Sequence, residues 1–198
     1  MTEPLVERRR RLLRDEIGRI AVGIFAERGF DHVTVADIAV AAGISERTFF
    51  RYFASKDEVV LDYERLVRDR LVDAITARPA GEGAVTALRE AYMQTSHVEP
   101  EARVRVVQLA RILTDAPALR ARAHGERRDR DDVLVAEVTR RLRKRGGAMH
   151  ARVVVTAMDA VAAAEFHEWA QSGGVDDPAD RIGVALKLLE DGLIHLDM

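Results

Sequence analysis

Residues 34–56 read TVADIAVAAGISERTFFRYFASK, and the fold of the whole chain turns on them. Thr34-Val-Ala-Asp37 places an acid three residues after a hydroxyl, a helix start in which each side chain can satisfy the other's free amide. Val35, Ile38, Ala39 and Ala42 then fall on one helical face, and Gly43 ends the helix. Ser45 can cap a second short helix running to about Tyr52. Two short helices joined by Ala-Ala-Gly-Ile-Ser make a helix-turn-helix, with Gly43 free to take the left-handed turn conformation. On a helical wheel with Phe49 inward, Ser45, Tyr52 and Phe53 lie within about 60° of the core direction. Arg47 and Arg51 lie nearly opposite, with Thr48 and Phe50 on the shoulders. The crowded aromatics therefore divide between a core and an exposed face.

Outward from this stretch, helix is the only pattern. Upstream, Leu13, Ile17, Ile20/Ala21 and Ile24/Phe25 form one apolar stripe over 7–28, and Gly29 stops it. Downstream, Ser55-Lys-Asp-Glu58 opens a long helix that Arg78-Pro79 breaks. Further helices are expected over 84–97, 100–115, 117–145, 148–172 and 178–196, with Pro100, Pro117 and Pro178 in first turns. The periodicity predicts an all-α chain of about nine helices. A three-helix domain over 1–58 holds the helix-turn-helix at 34–53, and a helical domain over 59–198 follows.

Composition excludes more than it selects. With 47% hydrophobic and 32% charged residues, the 198-residue chain has the make-up of an ordinary globule. The net charge is −2, while residues 1–56 hold ten Arg/Lys against eight Asp/Glu, so charge alone decides nothing. Of 31 basic residues only three are lysine, which reads as the codon bias of a G+C-rich bacterium. The absence of cysteine excludes disulfides and thiolate metal sites and is compatible with a reducing cytosol. The N-terminal residues lack an apolar signal core and no run is long enough to span a membrane, so a cytoplasmic protein is expected. Enzyme signatures are missing: there is no His-Glu-x-x-His, Gly-rich phosphate loop or Gly-x-Ser-x-Gly, and the six histidines have no metal-binding spacing. Neither a catalytic residue nor a cofactor is expected.

The exposed face of the second short helix suits the DNA major groove. Arginine presents a planar fork to guanine or phosphate, threonine a hydroxyl and methyl, and an aromatic ring can touch a thymine methyl. The competing reading is a small helical bundle with solvated arginines. The stretch Thr34–Phe53 with Ala-Ser-Lys56, together with the preceding Phe25-Ala-Glu-Arg-Gly-Phe30, strongly resembles the DNA-binding signature of TetR-family transcriptional repressors over residues 8–60. The resemblance implies that Thr34 caps the first helix of the motif and meets a phosphate. It places Ser45, Arg47, Thr48, Phe50, Arg51 and Tyr52 on the recognition helix and assigns Lys56 to a phosphate. Phe50 stands where the family usually has tyrosine, keeping the ring and losing a hydroxyl. The "ERTFFRYF" variant is similar to members that regulate mycofactocin and acyl-CoA metabolism.

The larger domain is read from its stripes. Ile182, Leu186, Leu189, Leu193 and Leu196 step by 4-3-4-3, and Ala157, Ala160, Val161 and Ala164 form a small-residue stripe on the preceding helix. Such seams pack helices together, within one chain or between two. The family resemblance implies a homodimer through a four-helix bundle of these two helices. It also implies an effector pocket, for which Tyr92, Met93, Leu109, Leu113, Phe166 and Trp169 supply large side chains that could equally be core. The mixed run Arg120–Asp132 reads as a solvated face; alternatively its arginines, Arg127 among them, grip a phosphorylated ligand. The function expected is a DNA-binding regulator released from a palindromic operator by a small hydrophobic or amphipathic effector, with an acyl-CoA suggested by the subgroup. The alternative is a ligand-binding helical dimer that has lost sequence-specific DNA binding.

Overall fold

Side chains that close helix ends divide this chain into its elements. The computed structural model describes residues 4–142 and 147–192, the side chains of residues 126–130 excepted. Among the described residues are nine α-helices, one 3-10 turn and no strand. They are α1 (Leu5–Arg28), the 3-10 turn (Phe30–His32), α2 (Val35–Ala41), α3 (Glu46–Phe50), α4 (Lys56–Ala77), α5 (Ala84–Ser96), α6 (Pro100–Asp115), α7 (Pro117–Leu142), α8 (Ala148–Gln171) and α9 (Pro178–Asp191). Thr34 accepts from the Asp37 amide at 3.2 Å while Asp37 accepts from the Thr34 amide at 2.8 Å, so the expected reciprocal cap starts α2. Gly43 takes φ +63° in the turn between α2 and α3. Asp177 accepts from the Ala179 amide at 3.1 Å and starts α9, with Pro178 in the first turn. None of the described helices is long and apolar enough to cross a membrane.

The helices gather into two compact units. The first joins residues 1–64 with residues 105–123. Its core takes Ile17 and Phe25 from α1, Ile38 from α2, Phe49, Phe53 and Leu61 from the motif and α4, Leu109 and Ile112 from α6, and Leu119 from α7. A division at 58/59, expected from sequence, does not contain this interleaving. Leu109 and Leu113, expected in an effector pocket, belong here instead: Leu109 is buried in this core and Leu113 packs against it. The helical spacing of Leu109, Ile112 and Ala116 gives α6 an apolar face, and that face is spent on the N-terminal helices.

The second unit holds residues 65–104 and the chain from 124 onward. Here α9 packs against both α5 and α8. The core draws Leu71 and Ile75 from α4, Leu88 and Tyr92 from α5, Leu134 and Val138 from α7, Val155 and Met158 from α8, and Ile182 and Leu186 from α9. Ile182 and Leu186 are 1% and 0% exposed, which corrects the expectation that they face a second subunit. Their stripe is turned inward, toward the rest of this unit. Ala157, Val161 and Leu189 are half-buried and Ala164 is exposed, whereas Leu193 lies outside the described residues.

Two buried arginines complete this unit. Arg68 on α4 donates to Asp159 at 2.8 Å, to the Tyr92 hydroxyl at 3.4 Å and to Asp131, and Tyr92 donates to Asp159 at 2.9 Å. Burial alone would depress the Arg68 guanidinium, but the oxygens of Tyr92, Asp159 and Asp131 outweigh it and hold it above its ordinary value. Burial, and then the charge of Asp159, push the Tyr92 phenol upward. Arg141 on α7 donates to the carbonyls of Ile75 at 2.8 Å, Arg78 at 2.9 Å and Pro79 at 2.9 Å, closing the end of α4 with a side chain from far along the chain.

Candidate nucleic-acid interface

Phe49 determines which way α3 faces. Its ring is fully buried, with Phe53 at 5.6 Å and Phe50 edge-on at 5.6 Å. The helix proper ends at Phe50, yet the amides of Tyr52 and Phe53 still donate to the Phe49 carbonyl at 2.8 and 3.0 Å, so the turn continues. With Phe49 sealed inward, Arg47, Phe50 and Arg51 are exposed, Phe50 by 53%. Arg47 makes no hydrogen bond or ion pair among the described residues. Arg51 lies 5.1 Å over the Tyr52 ring and donates to its hydroxyl at 3.3 Å. Ser45 accepts from the Thr48 amide at 3.1 Å, and the two hydroxyls are 2.9 Å apart. Thr34, also exposed, stands at the start of α2, where its hydroxyl and amide hold the Asp37 carboxyl below its usual range.

Six of the eight expected DNA residues, Ser45, Arg47, Thr48, Phe50, Arg51 and Tyr52, thus lie on one short element, with Thr34 on the element before it. Lys56 is the exception. Its ammonium donates to the carbonyls of Phe30 at 2.7 Å, Val33 at 2.9 Å and Asp31 at 3.4 Å, and stands 4.6 Å from the Phe30 ring. The two shorter contacts, to Phe30 and Val33, hold the ammonium against the backbone. As placed, Lys56 anchors the segment leading into α2.

The sequence reading missed Arg14. This α1 side chain forks Asp62 of α4 at 2.7 and 2.6 Å, donates to the Tyr52 carbonyl at 2.5 Å and lies 4.5 Å over the Phe53 ring. It therefore ties α1, the end of α3 and α4 together. The available signal was an arginine on the same stripe as Ile17 and Ala21.

The residues expected around an effector are dispersed. Tyr92 joins the Arg68 cluster, and Phe166 packs against the same core. Trp169 stacks on Phe166 at 5.4 Å and donates to the Asp176 carbonyl at 2.6 Å, facing the turn before α9. Met93 fills the space left by Gly183, where an added Cβ would stand 3.0 Å from its thioether. The side chain of Arg127 lies outside the described residues.

Residues 19–63 match the family model for bacterial regulatory proteins of the tetR family, and residues 82–194 match the MftR C-terminal domain. The chain is 29% identical to the mycofactocin biosynthesis transcriptional regulator MftR of Mycobacterium tuberculosis over 98% of both proteins. It is 40% identical to the regulator TcmR of Streptomyces glaucescens over 88 residues, which are 44% of this chain and 39% of TcmR. Among solved structures, the Thermus thermophilus FadR in complex with lauroyl-CoA, a TetR-family repressor, superposes with a TM-score of 0.53. It is 26% identical, with 90% of this chain and 94% of that chain covered. The second family model covers more than half of the sequence and the first covers the helix-turn-helix. The chain belongs to the TetR family of bacterial transcriptional regulators, carries an MftR-type C-terminal domain, and is a regulator, not an enzyme.

Proposed function

We propose that the protein is a homodimeric repressor that reads a palindromic operator through α3 and is released by a small hydrophobic effector held in the second unit. One observation carries the DNA reading. With Phe49 buried, α3 presents two exposed arginines and an exposed ring, while its own caps are satisfied internally. Arg47 and Arg51 offer forks to guanine or phosphate, and Phe50 offers apolar contact to a thymine methyl. Assembly is supported by stripes left outside the core: Met149, Val153, Ala160 and Ala164 on α8, and Val184 and Leu188 on α9. Small side chains there let helices of two subunits approach closely. Two copies of α3 would then enter successive major grooves.

For the effector, the support is the likeness to a FadR solved with lauroyl-CoA, which favours an acyl-CoA. An effector that binds better to a conformation with wrongly spaced α3 elements lowers operator affinity by linkage. The test is selection of duplexes from a random-sequence library, followed by titration of the selected complex with acyl-CoAs of graded length. A palindrome with half-sites about one helical turn apart, released best by one range of chain lengths, is expected. Selection that enriches no palindrome overturns the DNA reading, and release indifferent to chain length overturns the acyl-CoA.

A further inference from the structure

Every residue from Pro4 to Leu12 is exposed, including the large apolar Leu5 at 82% and Val6 at 79%. The side chains of Leu5, Val6, Arg8, Arg9 and Arg10 thus stand in solvent along the first turns of α1, whose backbone is closed by helical hydrogen bonds such as that from the Arg8 amide to the Pro4 carbonyl at 3.0 Å. This projecting arm contains four consecutive arginines, 8–11, against one acid, Glu7. Arg8, Arg9 and Arg10 make no ion pair or hydrogen bond among the described residues. Several cations of the same unit are engaged: Arg14 by Asp62, Arg19 by Glu16, Arg28 by Asp37, Arg122 by Asp57, and Lys56 by backbone carbonyls. Arg47 on α3 and Arg8, Arg9 and Arg10 on this arm are among the cations left without such a partner.

The two lie next to each other. Arg14 donates to the Tyr52 carbonyl just beyond the end of α3, which fixes where α1 passes. Arg10 is one turn earlier on the same face, about 40° from Arg14 around the axis and about 6 Å farther out. We infer that this arm is a second DNA contact, with Arg8, Arg9 and Arg10 gripping backbone phosphates beside the groove that α3 enters. Guanidinium groups pair with phosphate at fixed geometry, and a duplex carries a closely spaced row of phosphates on either side of its grooves. The inference rests on the proposed DNA reading and extends it to the flanks of the operator.

The experiment uses the duplex selected by the full-length wild type and compares it with Arg8→Gln/Arg9→Gln/Arg10→Gln. Dissociation constants are measured across a salt series, on the operator and on an unrelated duplex. The variant should show a salt slope shallower by about one for each lost phosphate contact, with affinity falling on both duplexes and the ranking of sequences unchanged. Trimming the base pairs that flank the operator should weaken the wild type and leave the variant unaffected. Replacement of all three by lysine should restore most of the slope. Thermal unfolding should be the same for all forms, because the altered side chains touch no core. An unchanged slope and affinity, in a wild type that does select an operator, overturns the arm and leaves the proposed function standing. A wild type that selects no operator removes the proposed function, and the arm with it.

Discussion

One ammonium group shows how little a single residue's chemistry says until the chain around it is placed. Lys56 opens α4 after a capping serine, where a cation suits a phosphate well, yet its ammonium closes on the carbonyls of Phe30, Asp31 and Val33. What brings those carbonyls beneath it is the turn at Gly29, whose φ of +83° sends the chain from α1 back toward the start of α4. That path is long-range, so the local pattern Ser-Lys-Asp-Glu could not reveal it. Arg14 was hidden for the same reason, since its partners Tyr52 and Asp62 come from other elements. Phe49 was legible because a buried ring among exposed arginines follows from helical spacing alone. The two kinds of cation should separate under mutation. Lys56→Ala should lower the stability of the chain by about 1 kcal/mol, since it removes a donor from the part-buried carbonyls of Phe30 and Val33. Arg47→Ala should leave unfolding unchanged and cost about 1–3 kcal/mol in operator binding. Denaturant unfolding beside operator titration checks both, and an unaltered unfolding curve for Lys56→Ala would count against the anchor.

Between elements, helix existence was easy to read and helix facing was not. Caps such as Thr34 with Asp37 announce a boundary within three residues, because both partners are local. A 4-3 spacing such as Ile182, Leu186, Leu189 only states that one face is apolar. Whether that face meets its own chain or another depends on what else needs covering, and here α5 and α8 cover it. Ionic joints between helices left still less trace. Arg68, Asp131 and Asp159 stand on three helices, far apart in sequence, with Tyr92 on a fourth. Removing the one cation of such a cluster leaves its carboxylates with less compensation, a larger effect than any exposed pair can give. Arg68→Met should therefore destabilise the protein by about 2–4 kcal/mol, reduced from a fully dry pair because both aspartates keep some water access. Adding Asp159→Asn should recover part of the loss, since it removes the stranded charge. A loss below about 1 kcal/mol for Arg68→Met would show that water already satisfies the cluster.

At the scale of the molecule, the inward turn of Ile182 and Leu186 changes which residues an assembly test should touch. Val184→Arg with Leu188→Arg places charge on the outer face of α9 and should yield a folded monomer that binds operator poorly. Leu186→Arg places charge in the core and should unfold the second unit instead. Sedimentation together with thermal unfolding distinguishes the two, and an intact dimer for the Val184/Leu188 variant would place the interface elsewhere. The all-α class was legible throughout, because every segment carries the helical period. The grouping of helices into units was not, since the stripe of Leu109, Ile112 and Ala116 has the same form whichever core it enters. That grouping has a consequence for how the protein is born. The DNA-reading helices leave the ribosome first, but their core lacks Leu109, Ile112 and Leu119 until α6 and the start of α7 have been made. The last carbonyls of α4 likewise wait for Arg141. The motif helices are thus made well before their own core can close. Through most of synthesis the nascent chain shows its operator-reading half to chaperones with an incomplete core, and it can become a competent regulator only once the later helices have emerged.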